Sequence, residues 1–581
     1  VKIEPNAAEQ IRLLRPARDT GGEKVPEVLS QFHSQEYGGR EAGAGTGDRE
    51  LVTIRHYRIE ATLAQKRSGD LDFSAVAEIE IAALQPDRYW MQFSLFSELM
   101  VDSAKWEDGS PANVYKGKDI SVLWVRADSA LQMGQPRRLT LYYHGDLIDR
   151  EGGWVYLKST LRWYPNTETR SRATFDLTFH HPRWFGLVSV GERVAFSEDD
   201  DVITSRWVTQ GPIRNAGFNV GIYDEYEVDE EGLPAVTLLI SEEGHRDLRR
   251  VLASHRGMKK EVGGDMANSM AFFERMFGEP PVSHLYVTET PYTHGLAFPG
   301  LVHLSWTTFQ STDREGGDVL FRAHEVAHQW WGVGVDFATY HDQWLSEGLA
   351  EFSGLWYLQT QHKNNDKYFG MLERWSDELR NEDNRTGLLS GGQETGPIWL
   401  GYRNNSSTTP GDYSLIVYRK GAWIMHMLRV LMLDLRTVNE DRFTNMMRDF
   451  YGRYRGQRAS TEDFQRVVEQ HAGINMDWFF RQWVYDTEIP EYRWSYNVEE
   501  AEGGRYRVQL KVEQNNVPDD FRMYVPVSVD LGNDRWARLR LLVEGPVAVI
   551  ELPLMPYEPR DVKFNDLQGV LCEEKEVRWR D

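Results

Sequence analysis

Cysteine is almost absent from this chain. Cys572 stands alone among 581 residues, so no internal disulfide is possible and the fold must rest on packing. Excess positive charge is missing as well: 66 Lys and Arg face 89 Asp and Glu, a formal net charge of −23. A balance so acidic argues against nucleic acid as a partner and against an anionic membrane surface. There is no long apolar run. The most apolar helix-like stretch, Ala422 to Leu435, contains His426 and Arg429 and is too short to span a bilayer. No internal repeat is visible. The chain opens at Val1 without an initiator Met or a signal-like apolar segment, which fits a processed form or a trimmed one. The expectation is a soluble protein with no transmembrane segment, in a periplasmic, secreted or cytoplasmic setting that the residues do not choose between.

What is present is an ordinary globular composition, 41% hydrophobic, rich in Trp (20) and Tyr (26). The length predicts two to four domains. Residues 1–49 are polar and end in a Gly-rich run from Gly38 to Gly47, which reads as a tail and flexible link. From residue 50 to 243 the pattern is alternating. Tyr57 to Leu63, Ala75 to Ile81 and Arg138 to Tyr143 are predicted strands of a large β domain. Near Arg246 the period turns helical, and residues 244–488 read as a mostly helical domain. Its predicted elements are a helix from Ala267 to Phe277, a strand at His284 to Val287, and helices at Tyr413 to Leu433, Glu440 to Tyr454 and Thr461 to His471, the last with Ser460 as N-cap. Asn384 to Asp412 has no periodicity and reads as a long loop. Alternation returns in residues 489–581, where Arg507 to Val512 and Val525 to Leu531 are clear strands, fitting a small β-sandwich. The fold class is therefore multidomain α+β.

The middle domain carries Phe321-Arg322-Ala323-His324-Glu325-Val326-Ala327-His328-Gln329-Trp330-Trp331, which contains His-Glu-x-x-His. On a helix His324 and His328 lie one turn apart, so both imidazoles leave one face and can grip one metal ion. Glu325 sits beside the first of them, placed to act on water rather than on metal. Catalytic zinc takes three protein ligands and keeps a fourth position open. Glu347, in Trp344-Leu345-Ser346-Glu347-Gly348, offers the third from a second, amphipathic stretch. One Zn²⁺ per chain follows. Asp342 and Glu351 are candidates to orient a ligating imidazole, Glu351 being one turn beyond Glu347. Trp330 and Trp331 read as core.

These residues resemble the aminopeptidase N family of zinc metallopeptidases, to which leukotriene-hydrolase-type enzymes belong. Tyr418-Arg419-Lys420-Gly421 resembles that family's Tyr-Glu-Lys-Gly segment, which carries its catalytic tyrosine. Gly295-Leu296-Ala297-Phe298-Pro299-Gly300 sits where the family has its Gly-x-Met-Glu-Asn substrate strand. The resemblance runs from about residue 51 to the end. It implies a saddle-like β domain, a thermolysin-like catalytic domain and a β-sandwich, without the family's large C-terminal helical domain.

It also implies a peptidase that removes N-terminal residues from peptides. His324, His328 and Glu347 would hold the zinc, Glu325 would be general base, and Tyr418 would stabilise the oxyanion, with Tyr413 as a second or supporting tyrosine. Gly295, Leu296, Ala297 and Phe298 would contact substrate, and Tyr292 and His294 flank them. One departure stands out. The family's glutamate, which holds the substrate α-amine, falls on Ala297 here. That raises the alternative of a peptidase that needs no free N-terminus, unless another acid such as Glu315 or Glu394 takes the place. An inactive scaffold is the remaining alternative, against which stands the complete ligand set.

Overall fold

The computed structural model describes residues 52–580 apart from 87, 118, 152, 168–170, 229, 242, 246–256, 292–294, 310–315, 364, 381–391 and 405–411. The 1–49 tail, the onset of helical period near Arg246, Tyr292, His294, Glu315 and most of the 384–412 loop lie outside the described residues. So does the side chain of Glu394. The chain has a β-rich N-terminal part followed by a helical part, and it resolves into two compact units. One comprises residues 1–264 and 282–311. The other comprises 265–281 and 312–581.

The first unit is built on a seven-stranded sheet. Its spatial order is Glu192–Asp199, Val202–Val208, Thr174–Pro182, Val52–Gln65, Leu71–Ala83, Pro136–Gly145 and Leu99–Trp106. The central strands alternate because one face is buried: Ile59, Ala61 and Leu63 point into the core, while Arg58, Glu60 and Thr62 are exposed. The three runs read as strands from sequence fall inside the strands Val52–Gln65, Leu71–Ala83 and Pro136–Gly145. A second sheet has five strands, ordered Tyr223–Glu227, Ala235–Ser241, His284–Thr290, Leu301–Ser305 and Leu296–Phe298. Ala235–Ser241, His284–Thr290 and Leu301–Ser305 run parallel and are buried almost throughout, as strands covered on both faces are.

Four helices frame the second unit. We label them α1 (Met258–Phe277, which enters from the first unit), α2 (Gly317–Ala327), α3 (Trp344–His362) and α4 (Gly421–Met432). The stretch expected to be amphipathic around Glu347 is not. From Trp344 to Leu358 every residue of α3 is buried except the half-buried Glu351, because other helices pack along both of its sides. Two glycines make this possible. A Cβ at Gly354 would stand 2.6 Å from the Leu320 carbonyl oxygen and 3.2 Å from the His324 nitrogen, so α2 lies backbone to backbone against α3. A Cβ at Gly348 would stand 2.9 Å from the Cα of Gly421, so α4 also lies backbone to backbone against α3.

The predicted helix from Tyr413 to Leu433 is continuous, but Ser414–Lys420 is wound as π-helix before α4 begins. Helices at Asp441–Tyr454 and Thr461–Ala472 follow, the second with a capping box between Ser460 and Asp463. Residues from Glu491 onward form a four-stranded and a three-stranded sheet, with Arg505–Asn515 and Arg522–Asp530 at the predicted places. They are tied to the helices of their own unit. Arg540 donates to the carbonyls of Val430 and Leu433, and His426 meets those of Leu567 and Gln568. Among the described residues no helix is long and apolar enough to cross a membrane.

The glycine contacts of α3 give a paired prediction. Gly354→Val forces a side chain against the main chain of α2 and should cost about 1–3 kcal/mol, lowering Tm by several degrees. Gly370→Ala, in a helix with open space around the added methyl, should instead stabilise by roughly 0.5–1 kcal/mol. Thermal unfolding of the two variants reads both signs. A Gly354→Val protein as stable as its parent contradicts the backbone contact.

Candidate active site

The metal-binding geometry starts with α2. Its N-cap Gly316 has φ 94°, a conformation that favours glycine, and the helix runs into His328 at its C-cap. Arg322 is wholly buried and pairs with Asp265 at 2.7 Å, pinning α2 to α1. Trp330 and Trp331 are core, as expected: both are fully buried, Trp330 donating to the Gly278 carbonyl and Trp331 to Ser353 Oγ.

The imidazoles of His324 and His328 leave one face of the helix, 4.7 Å apart between ring centres. Glu347 arrives from the first turn of α3. One ligand atom from each of the three residues lies within 4.8 Å of the others. The two ring Nε2 atoms stand 3.6 Å (His324) and 3.2 Å (His328) from Glu347 Oε2. Tetrahedral ligands about 2.1 Å from a zinc ion are separated by about 3.4 Å, so these spacings suit one ion among the three. The other ring nitrogens are taken. His324 Nδ1 lies 2.7 Å from Glu351 Oε2, and His328 Nδ1 lies 2.9 Å from the Trp331 carbonyl oxygen. Both partners can only accept, so Nδ1 carries hydrogen on each ring and Nε2 is left to face Glu347.

Electrostatics agree with a cation at this place. Burial disfavours imidazolium on both rings, yet the carboxylates outweigh it. Glu347 and Glu351 raise His324 well above the usual histidine range, and Glu347 raises His328. Burial would raise Glu347 too, but His328 and His324 hold its carboxyl well below the usual range. Glu325 goes the other way: burial dominates and raises its carboxyl. A divalent ion among the three ligands takes the place of the shared proton.

Two tyrosines complete the group. The Tyr418 ring lies parallel to that of His324, 5.6 Å between centres with 2° between planes, and Tyr413 packs edge-on to Tyr418 at 5.7 Å. Tyr418 is half-buried and Tyr413 buried. His324, Glu325, His328, Glu347, Glu351, Tyr413 and Tyr418 thus gather in one unit. Gly295 and the strand Leu296–Phe298 belong to the other, where the strand pairs with Leu301–Ser305 and forms the edge of its sheet. Ala297 is half-buried there, between buried Leu296 and Phe298.

One expected candidate is corrected. Asp342 orients no imidazole. It is buried and its carboxylate accepts from Thr339 N and Oγ1 and from Thr461 N and Oγ1, closing the short helical turn that leads into α3. Sequence reasoning missed three features: the Trp331 carbonyl behind His328, the Arg322–Asp265 pair and the π winding that carries Tyr418. A main-chain acceptor leaves no mark in the sequence. The arginine had a signal, since a charged residue beside an apolar-flanked ligand invites a search for its partner.

Residues 308–483 match the family described as the Peptidase family M1 domain. Aminopeptidase O of Mus musculus is 25% identical over 237 residues, covering 37% of this chain and 28% of its own length. Aminopeptidase M1-C of Oryza sativa subsp. japonica is 26% identical over 466 residues, covering 72% of this chain and 49% of its own. The chain therefore spans about a quarter to a half of these curated relatives. Among solved structures, a mutant M1 zinc metallopeptidase from Deinococcus radiodurans, bound to a Tyr-Ser-Ala substrate, superposes with a TM-score of 0.58. It is 20% identical and covers 75% of this chain and 95% of that one, a likeness of fold.

The Nδ1 contact of His324 can be tested on metal alone. Glu351→Ala removes the acceptor that aims the ring and should weaken divalent-metal binding by about 10–100-fold in a chelator competition. Because both histidines bind protons more readily than usual in the metal-free chain, binding should also weaken on acidification, by on the order of 10–100-fold per pH unit as one or two protons compete. Affinity indifferent to pH between 5 and 7 would show that these rings are not ligands.

Proposed function

We propose, from the premise that the chain carries a peptidase family M1 domain, that it is a zinc-dependent peptidase releasing N-terminal residues from peptides. The observation that carries this is the convergence of His324, His328 and Glu347 on one point, with Glu325 buried beside them and Tyr418 stacked over His324. In the same reading residues 50–243 are a saddle-like β domain, 244–488 a thermolysin-like catalytic domain and 489–581 a β-sandwich.

His324, His328 and Glu347 would hold a zinc ion, which would supply Lewis acidity towards the scissile carbonyl and lower the pKa of a bound water. The chain's own groups do the rest. Glu351 and the Trp331 carbonyl fix the two rings so that their Nε2 atoms face Glu347, where they would serve as ligands. Glu325, buried beside the three ligands, takes the proton of the attacking water as general base. The same carboxyl returns the proton to the leaving amine. Tyr418 donates its O–H to the oxyanion as the carbonyl carbon becomes tetrahedral, and Tyr413 supports its ring.

Ala297 favours a second reading of selectivity. A substrate α-ammonium inside a cleft needs a carboxylate partner. The family's glutamate is a methyl group here, so the alternative is a peptidase tolerant of a blocked N-terminus.

Three substitutions separate binding from chemistry. Glu347→Ala should lose both zinc and activity. Glu325→Gln should keep zinc and lose at least about 10²-fold in turnover. Tyr418→Phe should keep zinc and lower kcat more than it alters KM. A silent Tyr418→Phe beside a crippled Tyr413→Phe would move the oxyanion role to Tyr413.

Selectivity is read from kcat/KM for one peptide in free and N-acetylated form. A matched carboxylate for the amine should favour the free peptide by on the order of 10²-fold or more. The missing charge at Ala297 predicts a smaller ratio, and Ala297→Glu should raise it. A large ratio in the unaltered protein would mean that another acid holds the amine.

A further inference from the structure

Lys420 is fully buried, whereas its neighbour Arg419 is partly exposed and pairs with Glu378. A buried ammonium gains little stability, since desolvation offsets much of its attraction to nearby charge. Burial draws Lys420 down to about 8 even with Asp486 and Glu488 near enough to favour its charged form. Its Nζ donates to the Asp486 main-chain oxygen at 3.0 Å. That carbonyl is a firm anchor. It follows the helix Asp477–Trp483, whose Phe479, Phe480 and Trp483 are fully buried.

Lys420 is also the last residue of the π segment Ser414–Lys420. π winding is uncommon and less well bonded than α, and it persists where its surroundings hold it. Here the surroundings act from two sides. Gly421, the next residue, lies with its Cα against Gly348, directly after the ligand Glu347. Residues two apart on a helical coil point to nearly opposite sides. Lys420 therefore grips the coil away from the face on which Tyr418 meets His324.

We propose that Lys420 is a positioning residue for Tyr418: bound to the Asp486 carbonyl, it sets the rotation of the π segment that lays the phenol ring parallel to the His324 imidazole. This rests on the reading of Tyr418 as oxyanion donor. Lys420 touches no reacting atom and acts only through the tyrosine.

The test uses the full zinc-loaded chain labelled with fluorotyrosine, the Tyr418 resonance being assigned by its loss in Tyr418→Phe. Lys420→Met, similar in length and uncharged, should shift that resonance and leave zinc content unchanged. It should lower kcat by about 10–10²-fold with little change in KM, the scale expected when a catalytic group is misplaced by about 1 Å. Lys420→Arg, which keeps a donor, should restore most of kcat and return the resonance towards its place. In a Tyr418→Phe background Lys420→Met should cost little more, because the group it positions is already gone. An unmoved resonance overturns the proposal whatever the activity. So does a Lys420→Met penalty that persists undiminished in the Tyr418→Phe background, which marks a general structural role. If the unaltered chain cleaves no peptide while Lys420→Met still moves the resonance, the peptidase reading falls and the placement of Tyr418 by Lys420 stands.

Discussion

The second unit depends on main chains that touch. Helix α3 has α2 on one side and α4 on another, each at a distance only glycine permits, through Gly354 against Leu320 and His324 and through Gly348 against Gly421. Since α2 brings two imidazoles, α3 one carboxylate and the coil before α4 a phenol, these contacts set the dimensions of the site. Close-packed interiors transmit such displacements rather than absorb them. A side chain at Gly348 or Gly354 would push apart the helices that carry the ligands.

Packing at this density also explains the charge state. Glu325 and Glu347 are buried within reach of the buried His324 ring and the half-buried His328 ring, and Glu351 is only half-exposed beside them. Charges brought so far out of water must be paired or neutralised. Without metal the pairing is by protons, which is why the two rings and Glu347 shift in opposite directions. Glu325 is not drawn into that pairing to the same degree, and its carboxyl moves up. One cavity thus separates acids of the same kind by what each of them faces.

Much of this was legible in the residues, and the limits follow a physical pattern. His324 and His328 were readable because helical period converts spacing into direction, Glu347 because catalytic zinc calls for a third ligand, and Glu351 because it lies one turn beyond Glu347. The strands around Ile59, Ile79 and Leu141 were readable because a half-buried sheet must alternate. Burial all round α3 was not, since apolar neighbours come from elsewhere in the chain and its polar residues, Glu347 and Ser353 among them, mimic an exposed face. Asp342 has the same chemistry as Glu351, and only the tertiary path of Thr461 decides that it caps a turn. The π winding at Tyr418 was hidden as well, because one extra residue per turn leaves the apolar pattern of Leu415, Ile416 and Val417 looking like α-helix.

The two ligating rings are held by different kinds of atom, a side-chain carboxylate at His324 and a peptide carbonyl at His328. That difference governs how the site can drift in descent. A single codon change at 351 can alter the acceptor's charge, reach or presence, and so offers evolution a graded adjustment of one ring. No codon at 331 can delete a peptide oxygen, and every amino acid, proline included, carries it. Heritable variation can therefore retune the site through one histidine, while the other is buffered against substitution at the position that steadies it.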